Sequence, residues 1–373
     1  MGFFLFIKQF VDMLYPYKVL DYLMVGLAVF MLVYQLLLVR PNLCRQFNVI
    51  DGIVILLGGQ FSVQFLRSMG SYEVYFKILS AFLLYFMGRA YYDRIQECYG
   101  ALVAAAYLIV YLNLGKRILQ FGLSLTEVVN AGGDLYSCDT EMAFAMILAM
   151  VFITMFGRNS VFKLLTIFVT CPYMVFFSDA GIQKVLMILV YGIIFLYIAE
   201  LILRKPKLTG GLLTVLIIGL LAVIGLIYLP IMGAIEAETV VGLLEGKFIN
   251  SQSMHSRYTI WTGIIEECRS QGPLAQWFGT GLAGGVYEES LYIRLFYQLG
   301  FTGIILGLLF VINLVYYVVK VKDRKTFYLL VSMLVLFLGS GVAINSMEMV
   351  QMSWFPFLFA GMVVSSVKSE EHG

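Results

Sequence analysis

The chain alternates long apolar runs with short polar breaks, and the run lengths set the first expectation. Crossing a bilayer core of about 30 Å takes roughly 20 apolar residues at the helical rise of 1.5 Å. Runs at 19–39, 49–65, 72–88, 99–114, 141–156, 161–177, 182–203, 212–229, 301–319, 327–344 and 349–367 meet or approach that length. The pattern predicts an all-α, polytopic integral membrane protein with about 11 (10–12) transmembrane helices. A shorter run, 3–14, would reach only about 18 Å as a helix and reads as an interfacial amphipathic segment.

Two segments exceed ordinary connectors, which rarely pass about 15 residues without a function. One is 115–140; the other, 230–289, is rich in Trp, Tyr and Ile and is expected to pack on the membrane surface and form a site. The organisation read from this is an N-terminal transmembrane bundle (1–229), a large extracytoplasmic loop (230–289), and C-terminal helices with a short cytoplasmic tail (290–373).

Composition agrees with a membrane chain. Hydrophobic residues make up 61% of the 373 and charged residues 13%, against about a quarter charged in soluble domains. The net charge of +2 says little about partners; where the charges sit sets orientation. Clusters "RKPK" (204–207) and "KVKDRK" (320–325), with Lys368, are expected on the cytoplasmic side, which puts 230–289 outside. Arg40, Arg45, Arg89, Arg94 and Arg158 then fall inside, in agreement. Lys8, Lys18, Lys116 and Arg117 fall outside, which strains the scheme. Residues 1–15 lack the basic start and cleavage site of a signal peptide.

Five scattered cysteines and two histidines offer no zinc spacing. Cys138 and Cys268 both lie in segments placed outside, so a disulfide stays open beside the reading of unpaired thiols. There is no P-loop, no D-x-D pair, no H-E-x-x-H and no nucleophile elbow. No metal, cofactor or nucleic-acid partner is expected, and a substrate outside must bring its own activated bond.

Three stretches stand out. "GTGLAG" (279–284) matches G-x-G-x-x-G in letters but lacks the strand and helix of a dinucleotide site; it reads as a flexible turn, or as one whose main-chain N–H groups approach an anion. In "HSRYTIW", Arg257 and Trp261 are four apart and share a helical face, with Ser256 placed to cap it. In "EESLYIR", Ser290 and Arg294 share a face, as do Glu288 and Tyr292. Glu289 and Arg294 do not, so they are no simple same-helix ion pair. Charges at membrane depth cost about 2.5 to 3.5 kcal/mol each and mark sites, although Arg294 and Lys184 both have snorkelling as a second reading. A helix from Ser290 to Lys320 would run about 45 Å, so its first turns sit at the interface or it breaks at Gly300.

The order of "RYTIW", "FGTGLAGG" and "ESLYIRLFYQLGFTG" resembles the O-antigen polymerase and O-antigen ligase superfamily of polytopic glycosyltransferases. "GGDLYSCDTEMAFAMILAM" is similar to an earlier outer segment of that family, with Asp139 and Glu141 in place of its asparagine. "SDAGIQKVL" sits where the family often has a Ser-Arg pair, replaced here by Ile182 and Gln183, with Lys184 following. The family's ligases carry His where Glu289 stands, which favours a polymerase.

The resemblance implies polyprenyl-diphosphate-linked oligosaccharides as substrates, membrane lipids as surroundings, and a flippase and chain-length regulator as pathway partners. It implies a multi-pass protein of the bacterial cytoplasmic membrane. Arg257, with Arg294 and Lys184, is assigned to the diphosphate, and Glu289 to the general base, with Glu288 as its alternative. Ser290, Tyr292, Trp261, Gly279 and Gly281 complete the expected glycan or diphosphate site. Guanidinium groups bind phosphate in a fork, and a charge pair at 4 Å with an effective dielectric near 20 gains about 4 kcal/mol. Ligase-type transfer, a flippase or transporter, and a scaffold are the rival readings.

Overall fold

A computed structural model describes residues 1–14, 18–39, 47–68, 71–122, 136, 138–204, 252–281 and 290–372. Every regular element among them is helical. In chain order these are α1 (Gly2–Met13), α2 (Lys18–Tyr34, continued by a π turn Gln35–Val39), α3 (Val49–Ser68), α4 (Tyr72–Ala90), α5 (Tyr92–Glu97), α6 (Tyr99–Phe121), α7 (Asp139–Phe156), α8 (Val161–Phe176) and α9 (Gly181–Arg204). Then follow α10 (Gln252–Ser270), α11 (Pro273–Phe278), α12 (Leu291–Lys320), α13 (Arg324–Ser340) and α14 (Val350–His372).

Among the described residues seven helices are long and apolar enough to cross a membrane: α2, α3, α6, α7, α9, α12 and α14. The chain is a multi-pass membrane protein on this composition, with fewer qualifying helices than the eleven expected. The shortfall has physical causes. Three charges, Glu73, Lys77 and Arg89, interrupt α4; α13 has 17 residues; α8 is short and carries a π turn, Thr166–Thr170. The run 212–229, the "KPK" of the first basic cluster, and half of the expected large loop (230–251 and 282–289) lie outside the described residues. The part of that loop which is described, 252–281, is mostly helix.

The chain forms two compact units. The first comprises Met1–Tyr22, Arg94–Val241 and Lys322–Leu336; the second comprises Leu23–Asp93, Gly242–Val321 and Phe337–Gly373.

In the first unit α1 docks along α6, where Gln9 donates to the Leu102 carbonyl at 3.2 Å. One face of α1 is covered by the unit, with Phe4, Leu5, Lys8 and Asp12 all buried, while Phe3 is exposed. Lys8 and Asp12, one turn apart, form an ion pair, so their charges enter the unit together. Helix α6 continues to Phe121, so 115–121 are helical, not connector. Arg117 on it is buried, donating to the Tyr173 hydroxyl (3.2 Å) and the Phe177 carbonyl (3.0 Å). A charge tied up in this way is no free flanking charge of the kind that sets orientation, which relieves the strain noted above at Arg117 and Lys8 and leaves it at Lys18 and Lys116.

In the second unit α14 lies against α4 with backbones touching. A Cβ added at Gly88 would fall 1.8 Å from the Leu358 carbonyl oxygen, and one at Gly361 would fall 1.9 Å from that of Tyr85. Only hydrogen fits at either position, the small-residue packing typical of membrane helices. Trp354 donates to Ser80 at 2.8 Å and Ser365 to the Arg89 carbonyl at 2.9 Å across the same seam. Beneath it Asp51 accepts from Arg89 (3.0 Å) and Tyr85 (2.7 Å), joining α3 to α4 by a buried ionic contact whose partners are paired.

Candidate functional site

The site residues fall mainly in the second unit, around the start of α12. That helix is broken at Gly300, whose φ of 65° and ψ of −159° lie outside the helical region, the second of the two alternatives the sequence left open. Residues 301–320 then suffice alone to span a bilayer core, and 291–299 form a separate arm.

A break of this kind frees carbonyls that have lost their helical N–H partners. The G-x-G turn supplies replacements: Thr280 donates to the Tyr297 carbonyl through its N–H (2.7 Å) and its hydroxyl (2.9 Å). Gln60 of α3 donates to the Leu299 carbonyl at 2.8 Å. The turn is held in place by α3, through Gln64 to the Phe278 carbonyl and Arg67 to the Gly279 carbonyl (3.4 Å).

The glycines are demanded by this contact. Gly279 has φ 83°, and a Cβ there would fall 2.1 Å from the Gln298 carbonyl oxygen; Gly281 (φ 109°) sits against Ser68. The N–H groups of Gly279 and Thr280 are committed to the carbonyls of Ala275 and Tyr297, so these two do not face an anion. The turn acts first as the brace of the helix break.

The arm itself is fastened to the end of α13 and the connection beyond it. Leu291 N–H (2.8 Å) and Ser290 Oγ (3.1 Å) both donate to the Gly341 carbonyl, and the Tyr292 hydroxyl donates to that of Leu338 at 2.6 Å. Arg294 is buried and turns to Glu348, Nε to Oε1 at 2.8 Å, rather than snorkelling. Gln298, one turn on, donates to the same oxygen at 3.1 Å.

Helix α10 packs on the arm through Ile264 and Cys268 against Tyr297, with Ile293 and Phe296 beside them. Arg257, Trp261, Ile264 and Cys268 repeat at helical spacing and share that face. Arg257 is half-buried, and the Trp261 Nε1 is buried without a hydrogen-bond partner among the described residues. The helix starts at Gln252, so Ser256 lies within it and is not its cap. Trp277 is half-exposed at the end of α11, edge-on to Phe301.

Glu288 and Glu289 lie outside the described residues. Lys184 is in the first unit, half-buried in the first turn of α9 beside the buried Gln183. In that unit Asp139 accepts from the Asp179 N–H at 2.7 Å, joining "SCDTE" to "SDAG". Among the described residues Cys98, Cys138, Cys171 and Cys268 form no disulfide. No group of three or more His, Cys, Asp or Glu among the described residues could hold a metal ion.

Sequence reasoning missed Glu348 and the α3 side chains Gln60, Gln64 and Arg67. Glu348 carried one signal, a carboxylate in the short polar break "NSMEM" between two apolar runs. No family model matches the chain, and no curated protein matches it.

Proposed function

We propose that this chain is a membrane glycosyltransferase that joins polyprenyl-diphosphate-linked oligosaccharide repeats into a long surface polysaccharide, on the outer face of a bacterial cytoplasmic membrane. The observation that carries the reading is the convergence of separate motif segments on one arm. The helix with Arg257 and Trp261 packs against residues 293–297, and the G-T-G turn braces the break that ends the same arm. Segments that resemble the polymerases in order thus also meet in space.

The chemistry needs no nucleotide. An acceptor hydroxyl oxygen bonds to the anomeric carbon as that carbon's bond to phosphate oxygen breaks. The electron pair leaves with the lipid diphosphate, and the hydroxyl proton passes to a carboxylate, assigned to Glu289. Arg257 is assigned to the departing diphosphate, whose growing charge a fixed guanidinium stabilises. The Trp261 N–H, without an acceptor among the described residues, supports a polar ligand on the same face, because a buried donor left without one costs about 1–3 kcal/mol.

The test is the length distribution of surface glycan in a strain lacking this protein and complemented with variants. Arg257→Ala and Glu289→Gln are each expected to abolish long polymer while leaving protein levels and single lipid-linked repeats intact. Polymer of normal length in both variants rejects the reading.

A further inference from the structure

Glu348 lies outside every segment by which the chain resembles polysaccharide polymerases, yet two N–H donors from successive turns of the arm converge on one of its oxygens. Arg294 Nε is 2.8 Å and Gln298 Nε2 3.1 Å from Oε1. The Arg294 and Glu348 side chains keep 10% and 18% of their exposure, so water screens the pair weakly. Gln298 holds the carboxylate in place from a second direction. A guanidinium gripped at Nε has its plane fixed, and with it the direction of its terminal nitrogens.

We infer that Glu348 is a positioning residue for the proposed transfer: it orients Arg294 toward the departing diphosphate and, as its counter-charge, limits how tightly the spent lipid diphosphate is held. The inference rests on the polymerase reading.

The physical reason is that an Arg without a counter-charge in a site of low dielectric grips substrate and product diphosphate alike. Such uniform binding lowers KM without speeding the reaction, and it slows release. A carboxylate on Nε removes part of that grip and keeps the directional hydrogen bonds that matter as charge develops.

The test uses the full chain in liposomes with a defined polyprenyl-diphosphate-linked repeat, comparing wild type, Glu348→Gln, Glu348→Asp and Glu348→Ala. Glutamine keeps an oxygen that accepts from both donors but carries no charge. Its variant should bind more tightly: KM falls, turnover slows, and inorganic pyrophosphate inhibits about fivefold more strongly, near 1 kcal/mol of binding. Alanine removes the acceptor, so KM rises as turnover falls, and aspartate restores part of both.

A merely structural role moves KM the same way in the glutamine and alanine variants and leaves pyrophosphate inhibition unchanged. That outcome, with wild-type transfer intact, overturns the inference and spares the polymerase reading. A wild type that neither transfers nor responds to pyrophosphate overturns both. Should the alanine variant fail to fold, the opposed KM shift of glutamine relative to aspartate still decides.

Discussion

Thr280 donates twice to a single atom, the carbonyl oxygen of Tyr297, from its N–H at 2.7 Å and its hydroxyl at 2.9 Å. This relationship ties a turn read first as a ligand loop to the break in the helix that carries the candidate site. Its consequence is that the glycine motif and the arm stand or fall together.

Gly279→Ala is therefore expected to be severe. The added Cβ meets the Gln298 carbonyl in a backbone conformation with φ 83° that alanine resists. A loss of about 2–3 kcal/mol is expected, whereas Thr280→Val, which removes only the hydroxyl donor, should cost about 1 kcal/mol. Thermal unfolding in detergent separates the two; equal stability of Gly279→Ala and wild type contradicts the brace.

Substitution of Gly361 by leucine should prevent folding of the second unit. Its first added carbon would fall 1.9 Å from the Tyr85 carbonyl oxygen, and neither backbone can retreat without opening the α4–α14 seam. The cost is about 3 kcal/mol or more. Size-exclusion profiles of tagged protein should show aggregate in place of a monodisperse peak, and a normal peak refutes the close approach.

Asp12 gives a pH signature with a definite sign. Burial raises its pKa from 3.8 to about 6, against the opposing pull of Lys8. Between those values the folded state keeps a proton the unfolded state has released. The contribution is whole below pH 3.8 and is lost as pH rises to about 6. Asp12→Asn should flatten this part of the profile of unfolding temperature against pH. A wild-type profile that rises over the same window contradicts the assignment.

How much of this was legible in the sequence depends on the range of the interaction. Apolar runs are legible because bilayer thickness fixes their length, and helices cover the expected runs at 49–65, 99–114 and 182–203, and that at 349–367 from residue 350 on. Gly300 was legible as a breaking point because a helix from Ser290 to Lys320 exceeds what a bilayer needs. Glu348 was not: it pairs with Arg294 across 54 positions, and Gln64 reaches the Phe278 carbonyl across 214. No spacing rule connects residues so far apart. Arg117 and Lys8 misled for a related reason, since charges that a fold buries cannot be told by composition from charges that flank a span.

Sidedness is testable at Tyr258, which is exposed one position after Arg257 on α10. In a background without Cys44, Cys98 and Cys138, Tyr258→Cys should react in intact cells with a maleimide that does not cross membranes. Labelling only after the cytoplasmic face is opened contradicts an outward site.

The central claim is transfer driven by the substrate's own diphosphate bond. Purified protein in liposomes, supplied with polyprenyl-diphosphate-linked repeats and neither nucleotide nor divalent cation, should yield a ladder of extended glycans, with free lipid diphosphate released in step with each bond formed. Repeats that stay single, or that only change leaflet, contradict it.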